Sequence, residues 1–449
     1  MSGVWHKLQQ LWSERSNKLW VLPTVNSVLA VVLALAAAWI PPLMPGVELP
    51  VIEAKTLDNL LSVIASSMLA VTTFSLSIMV SAFASASSGV TPRATELVMG
   101  DEGTRSAIAN FLSAFMFSIV AQVALGLKYY GSNGRFILFV ATCVVLAWLM
   151  LTLLRWVRTL SSLGRLGNTL ERVERHALAT LQAYWRQPCL GTQVGAPRSA
   201  ADTVRPGADG TLQPPPGVVC AQALLLVRRL HLAQLHTLAE THACRLHLRV
   251  RPGDRVTPGQ VLATIAPDDP AQPPTGAALQ ALEAGIRQGV VLHAGRTFDQ
   301  DPRFGLIVLC EAGQRALSAA INDPGTAISC MEALARVLVH SQQPPDGADD
   351  TPTAALPHYD RLTLVPLDPQ DFVQDAFGPL LRDGAPFYEL GVRLQKLLAA
   401  VALHSPDTAV ADSARAHAAL ALACAQERLP YAPDRAALAQ LHERLFAPQ

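Results

Sequence analysis

The sequence predicts an α-helical membrane domain of about four transmembrane helices, then a cytoplasmic α+β domain with a small barrel-sandwich-like β unit and C-terminal helices. Three observations carry this reading. Half of the 449 residues are hydrophobic and only 16% are charged, whereas a soluble globular chain carries about a quarter charged residues. Long uncharged apolar stretches crowd into the first third of the chain. Behind them the pattern changes to short alternating runs and amphipathic segments broken by Pro, Gly and Asp. The formal net charge is zero, which leaves no basic footprint for nucleic acid.

Residues 1–19 read as a polar, amphipathic cytoplasmic segment. It is too long before the first apolar run, and lacks the small-residue cleavage site, for a removed signal peptide. A bilayer core of about 30 Å needs about 20 apolar residues in a helix. Helices are therefore expected over Trp20–Ile40, Leu60–Ser85, Ser106–Leu127 and Phe136–Leu154, a membrane domain over 20–154. Lys18, Glu48, Asp58, Arg93, Arg105, Lys128, Arg135 and Arg155 mark the borders, and Trp20, Trp39, Tyr129, Tyr130 and Trp156 lie at headgroup level. Lys7, Arg15 and Lys18 precede the first span, and Arg155, Arg158, Arg165, Arg172 and Arg175 follow the last. The opposite side carries only Lys55, Lys128 and Arg135, so both termini are expected in the cytoplasm. Gly131, Asn133 and Gly134 turn the last two spans into an antiparallel hairpin.

The second span differs from the others. Thr73, Ser77, Ser81 and Ser85 recur every four residues, Ser88 follows one short turn later, and Ser62 and Ser66 roughly extend the row. This spacing gathers the hydroxyls on one helix face. Two readings stand open. Small hydroxyl residues let helices pack closely and hydrogen-bond across the contact. Alternatively the stripe lines a water-filled path in an oligomer. No span interior holds Asp, Glu, Lys, Arg or His, which argues against a proton-coupled pump.

Residues 155–186 are expected to continue the fourth span as an Arg- and Leu-rich cytoplasmic helix, whose basic face meets either anionic headgroups or solvent. A Pro- and Gly-rich linker follows over 187–217. The α+β domain spans 218–342. Its strands are expected at Val218–Val227, Arg245–Val250, Val256, Val261–Ile265 and Gly289–His293, with helices at Arg228–Thr241 and Ala277–Ile286. The run Gly253–Leu262 (Gly-Asp-x-Val-x-Pro-Gly-Gln-x-Leu) is similar to the small barrel-sandwich domains that carry biotin or lipoyl groups. Those carriers need an acceptor lysine, and no lysine lies between Lys128 and Lys396. The unit is therefore read as a structural or contact module. His231, His236, His242 and His247, with Cys244 among them, match no standard zinc spacing. The seven cysteines are scattered and form no Cys-x-x-Cys pair. No cofactor or metal is expected. A loop covers 343–357. The part 358–449 is mostly helical, with an edge strand at Arg361–Val365 and helices at Pro369–Arg382, Pro386–Leu403, Thr408–Glu427 and Asp434–Phe446.

The most distinctive residues lie between Arg296 and Ala327. Asp301-Pro302 and Asp323-Pro324 each place an N-cap acceptor before a proline at the first helical position. The cap carboxylates then occupy the backbone donors that an anion would otherwise find there. With the serine-rich span and the Gly-Asp turn, the pieces Gln300–Leu306, Arg315–Ser318 and Ile321–Ala327 resemble the bacterial predicted-membrane-protein family of domain of unknown function 2254, from about Trp20 to about Leu429. Where that family has Pro-Gly before Ile-Asn-Asp-Pro, this chain has Ala319-Ala320. The resemblance implies a bacterial inner-membrane protein with a cytoplasmic α+β domain, and no established reaction. Arg296, Asp301, Pro302, Phe304, Gly305, Asn322, Asp323, Pro324 and Thr326 are read as structural members of that motif.

Phosphate-loop, dinucleotide-binding, His-Glu-x-x-His and Gly-x-Ser-x-Gly motifs are all missing, so an enzyme is not expected. The functional expectation is a homo-oligomeric channel or permeation pathway in the lipid bilayer, with a cytoplasmic vestibule. The alternative is a membrane-tethered signalling or scaffold protein that binds a cytoplasmic partner.

Overall fold

The computed structural model describes residues 21–37, 50–89, 91, 93, 102–160, 166–199, 202–204, 214–343 and 358–447. The chain divides after Thr169 into two compact units.

The first unit holds α1 (Val21–Ala36), α2 (Ala54–Gly89), α3 (Glu102–Gly126) and α4 (Ser132–Leu160). Helix α3 is the hub and packs against each of the other three. Its Ala107, Ala114 and Ala121 recur every seven residues and are buried. Small residues on one face let neighbouring backbones come close. Phe111 and Phe117 fill the remaining space against Ile64, Leu57 and Leu61 of α2 and Leu138 and Leu149 of α4. The turn between α3 and α4 carries Lys128 at φ 55°, and the Tyr130 hydroxyl donates to Ala34 O of α1 at 2.8 Å.

Among the described residues three helices, Ala54–Ala82, Arg105–Gly126 and Ser132–Leu160, are long and apolar enough to cross a membrane. Helix α1 is the fourth expected span, and it is shorter. Its 16 residues reach about 24 Å at a rise of about 1.5 Å each, short of a core of about 30 Å. The end of that expected span, Ala38–Ile40, lies outside the described residues. Helix α2 is the opposite case: its 36 residues extend about 54 Å, well beyond the core thickness. Large apolar side chains, among them Phe74, Val80, Val144, Trp148 and Leu154, point outward, where a water-soluble protein would keep such a contiguous patch covered.

The helix expected without a break over 155–186 is described as α4, ending at Leu160, and α5 (Leu166–Arg186); residues 161–165 lie outside the described set. Leu170, Val173, Ala177 and Leu181 form the buried stripe of α5. Its polar face is of mixed charge, since Glu171 pairs with Arg175 at 3.1 Å and Glu174 with Arg336 at 2.7 Å.

The second unit contains two sheets. A mixed five-stranded sheet runs β1 (Thr192–Val194), β8 (Tyr359–Leu364), β4 (Cys244–Leu248), β6 (Val261–Pro267), β2 (Val218–Cys220) in spatial order. Strand β8 is parallel to both β1 and β4, and the other pairings are antiparallel. An antiparallel three-stranded sheet runs β5 (Arg255–Val256), β3 (Leu225–Leu230), β7 (Val290–His293). Helices α6 (Leu232–Thr241) and α7 (Gly276–Gly289) complete the core through Leu235, Leu282 and Ile286. The helical remainder is α8 (Phe304–Ala316), α9 (Pro324–His340), α10 (Gln370–Asp383), α11 (Tyr388–His404), α12 (Thr408–Arg428) and α13 (Ala432–Phe446).

Beyond the expected linker 187–217, which holds β1, and the helix expected from Arg228, which begins at Leu232, three sequence expectations change here. The apolar run Val218–Val227 is two strands in different sheets, because the chain leaves one sheet at Ala221 and enters the other at Leu225. The strand expected at an edge, Arg361–Val365, lies inside the five-stranded sheet. Its alternation is real, with Leu362 and Leu364 fully buried, but alternation reports burial of one face and says nothing of lateral neighbours. The Gly253 and Gly259 turns form at φ 92° and 87°, as the turn chemistry requires. The strands around them belong to the two sheets, and no separate barrel-sandwich unit is seen among the described residues.

Candidate functional site

The motif Gln300–Leu306 joins β3, α5 and α10. The Gln300 carboxamide completes the end of β3, accepting from Leu230 N at 2.9 Å and donating to Leu230 O at 3.3 Å. Asp301 is only 2% exposed. It accepts from Arg296 Nε at 2.6 Å and from Arg303 N at 3.1 Å. Burial pushes its carboxyl pKa up, against the opposing pull of the Arg296 and Arg303 charges. The Arg296 guanidinium also lies 5.4 Å from the centre of the Phe304 ring, a cation–π distance. Phe304 in turn packs on Phe298 at 4.5 Å.

Two glycines make this assembly possible. A Cβ at Gly253 would overlap Asp301 Oδ2 and the Arg296 guanidinium. A Cβ at Gly305 would overlap Ala177 on α5. The expected cap at Asp301-Pro302 forms only in part, through the bond from Arg303 N to Asp301 Oδ1. Helix α8 starts at Phe304 with Arg303 in the cap position and no side-chain cap bond. The Asp301 carboxylate is shared between Arg303 N, on Oδ1, and Arg296 Nε, on Oδ2, a charged donor that binds it more strongly than a neutral N–H.

The second motif behaves as expected. Asp323 caps α9, accepting from Thr326 N at 3.0 Å and Thr326 Oγ1 at 2.6 Å, with Pro324 at the first helical position. Asn322 takes φ 48° ahead of it, a conformation Asn tolerates better than most residues. The Thr326 donors hold the Asp323 carboxyl below its ordinary range.

Sequence reasoning missed Arg251. It is 2% exposed, donates to Val365 O at 2.7 Å and Pro188 O at 2.6 Å, and lies 6.0 Å from the Tyr184 ring centre. Burial lowers its pKa. It ties the end of β8 to the end of α5, a long-range role with no local sequence signal. The charged groups Arg296, Asp299, Asp301 and Arg303 are thus each ion-paired, Asp299 with Arg229 of β3. No group of three His, Cys, Asp or Glu side chains able to hold a metal occurs among the described residues. His247 pairs with Thr363 at 2.9 Å, and Cys244 is buried in the core.

The hydroxyl row on α2 has a definite orientation within the first unit. The buried face of α2 is Leu57, Leu61, Ile64, Ala65, Ser75, Met79 and Ala82. Ser62, Ser66, Thr73, Ser77 and Ser81 lie on the exposed side, so the row does not pack against the other described helices of the unit. Thr73 Oγ1 donates to Ala70 O at 2.9 Å, and Ser66 Oγ donates to Ser62 O at 2.9 Å. Such bonds satisfy the hydroxyl hydrogen within the helix and leave the oxygen lone pairs facing outward. The side chains of Ser85 and Ser88 lie outside the described residues.

Two other polar features of this unit went unread in the sequence. Ser75 is fully buried with no hydrogen-bond partner. Asn26 donates to Asn110 at 3.4 Å, beside Ser113 and Trp148 in a cavity of about 330 Å³. The signal was present, since a carboxamide inside an apolar run seeks a partner on another helix.

A family described as "Predicted membrane protein (DUF2254)" matches residues 16–400. No curated protein and no solved structure is significantly similar to the chain.

Proposed function

The chain belongs to the DUF2254 family of predicted membrane proteins, and on that footing we propose that it assembles as a homo-oligomer around a permeation pathway in the bacterial cytoplasmic membrane. The observation that carries this reading is the orientation of α2. Its hydroxyl row, Ser62 to Ser81, points away from α1, α3 and α4. Hydrocarbon offers those oxygens no hydrogen-bond donor, whereas a second copy or a water column does. In the proposed assembly, α2 from each copy faces the symmetry axis and α4 presents Val144, Trp148 and Leu154 to lipid.

The arginines that follow the last span support a cytoplasmic second unit, which in this proposal forms the vestibule. A lining of neutral hydroxyls selects by width and hydrogen bonding, without fixed charge. We assign the second unit no reaction, because Asp301 and Arg303 of its family motif are engaged in ion pairs with Arg296 and with Asp371 and Asp375.

Reconstitution in liposomes tests the proposal. The wild-type chain should be multimeric in detergent and carry solute flux, and Ser77→Leu/Ser81→Leu should reduce flux to the protein-free background. A strict monomer, or unchanged flux in the double variant, sinks the pathway and leaves the tethered-scaffold alternative.

A further inference from the structure

Three helices of the second unit end beside one polar cleft. Its walls are Gln314, Leu317 and Ser318 at the end of α8, Arg382 and Asp383 at the end of α10, and Arg428 at the end of α12, around a volume of about 580 Å³. Arg382 and Arg428 each stand in the last turn of their helix, where a cation offsets the carbonyl end of the dipole. That explains one arginine per helix. It does not explain two guanidiniums on one cleft, neither of them ion-paired among the described residues.

Many arginines of this unit are paired, among them Arg249 with Asp202, Arg296 with Asp301, Arg303 with Asp375, Arg336 with Glu174, and Arg361 with Asp268. Among the described residues Arg382 and Arg428 have neither an ion pair nor a hydrogen bond. Arg315, in the last turn of α8, has a buried Nε without a partner. The one carboxylate on the cleft, Asp383, is turned to Gln314, whose Nε2 donates to it at 2.7 Å. Ser318 is oriented by its bond to Arg315 O at 2.7 Å. Arg315 and Ser318 are the ends of the Arg315–Ser318 family motif, which the capping and packing roles described above leave unexplained.

We infer that this cleft binds a phosphate group, held between the Arg382 and Arg428 guanidiniums. Guanidinium forks match the oxygens of a tetrahedral oxyanion and hold them bidentately. Two arginines against one carboxylate leave an excess positive charge, which favours a dianion over a simple carboxylate. Leu317 is the only large apolar group on the walls, so the ligand is polar throughout its contact. A volume of about 580 Å³ accommodates a small phosphorylated solute, and a phospholipid headgroup offers the same chemistry.

Calorimetric titration of the full-length chain in detergent, with pyrophosphate in one arm and dihexanoyl phosphatidic acid in the other, tests this. Saturable binding of either probe is expected, and the arm that binds identifies the source. Arg382→Gln/Arg428→Gln should weaken binding at least about tenfold, as loss of charged bidentate contacts does. Arg428→Lys, which keeps the charge and loses the fork, should fall between the two, and it carries the test should the double variant lose its helix content. Binding of neither probe overturns the inference, and so does equal affinity in the wild-type chain and the variants.

Discussion

Arg303 donates to both carboxylate oxygens of Asp375, from Nε at 2.5 Å and Nη2 at 3.0 Å, while its Nη1 reaches Asp371 Oδ2 at 2.7 Å. One guanidinium in the turn before α8 thus grips two carboxylates a helical turn apart on α10. The pairing holds the family motif against the C-terminal helices. Arg303→Met should destabilise the chain by about 1–3 kcal/mol, the loss of charged hydrogen bonds discounted for partial exposure. Thermal unfolding followed by tryptophan fluorescence measures it, and an unchanged midpoint would remove the clamp from this account.

Gly305 and Ala177 meet with no room for a second methyl group. Gly305→Ala improves helix propensity by about 1 kcal/mol, yet overpacking costs about 1–3 kcal/mol. We expect net destabilisation. Ala177→Gly in the same background should recover part of it, since Ala177 Cα remains within 2.7 Å of the new Cβ. A double-mutant cycle reads the coupling, and additive effects would mean that the two helices do not touch there.

The cap at Asp323 is sensitive to pH in a defined direction. Its carboxyl pKa is depressed in the folded chain by the Thr326 donors, so its stabilisation is fully present above the unfolded carboxylate pKa. That stabilisation is lost as pH falls through the folded value. Asp323→Ala should cost about 1 kcal/mol at neutral pH, and the difference from wild type should shrink below about pH 4. A difference that persists undiminished in acid contradicts the role.

Cys310 and Cys330 are buried in the α8–α9 layer, and burial pushes both thiols up to about 12. The thiolate is the reactive form. Both should therefore resist alkylation at pH 8 until the second unit unfolds. Mass spectrometry after pulse labelling along a urea series checks this. Native-state labelling of Cys310 would contradict the packing described.

Much of the architecture was legible because local chemistry set it. Helix α12 was expected at Thr408–Glu427 and runs Thr408–Arg428, fixed by the Asp407 cap, which accepts from Val410 N at 3.0 Å. The Asp323 cap was legible for the same reason. What stayed hidden depends on residues far apart in sequence. Asp301 looks like a cap until Arg296 and Gly253 are brought to it. Strand β8 looks like an edge until β1 and β4 flank it. The hydroxyl period on α2 was visible, but only packing shows that Leu61 and Ile64 face inward and Ser77 outward. The two guanidiniums of the phosphate cleft stand 46 positions apart in sequence, at 382 and 428, and no motif joins them.

The central claim is that the hydroxyl face of α2 meets water. Cysteine accessibility in liposomes measures this most directly, in a Cys143→Ala background. Ser77→Cys and Ser81→Cys should react with a charged, membrane-impermeant methanethiosulfonate, while Val144→Cys and Leu154→Cys, exposed on α4, should not. Equal protection of all four positions would place the hydroxyl face in lipid or in a dry contact and contradict the pathway.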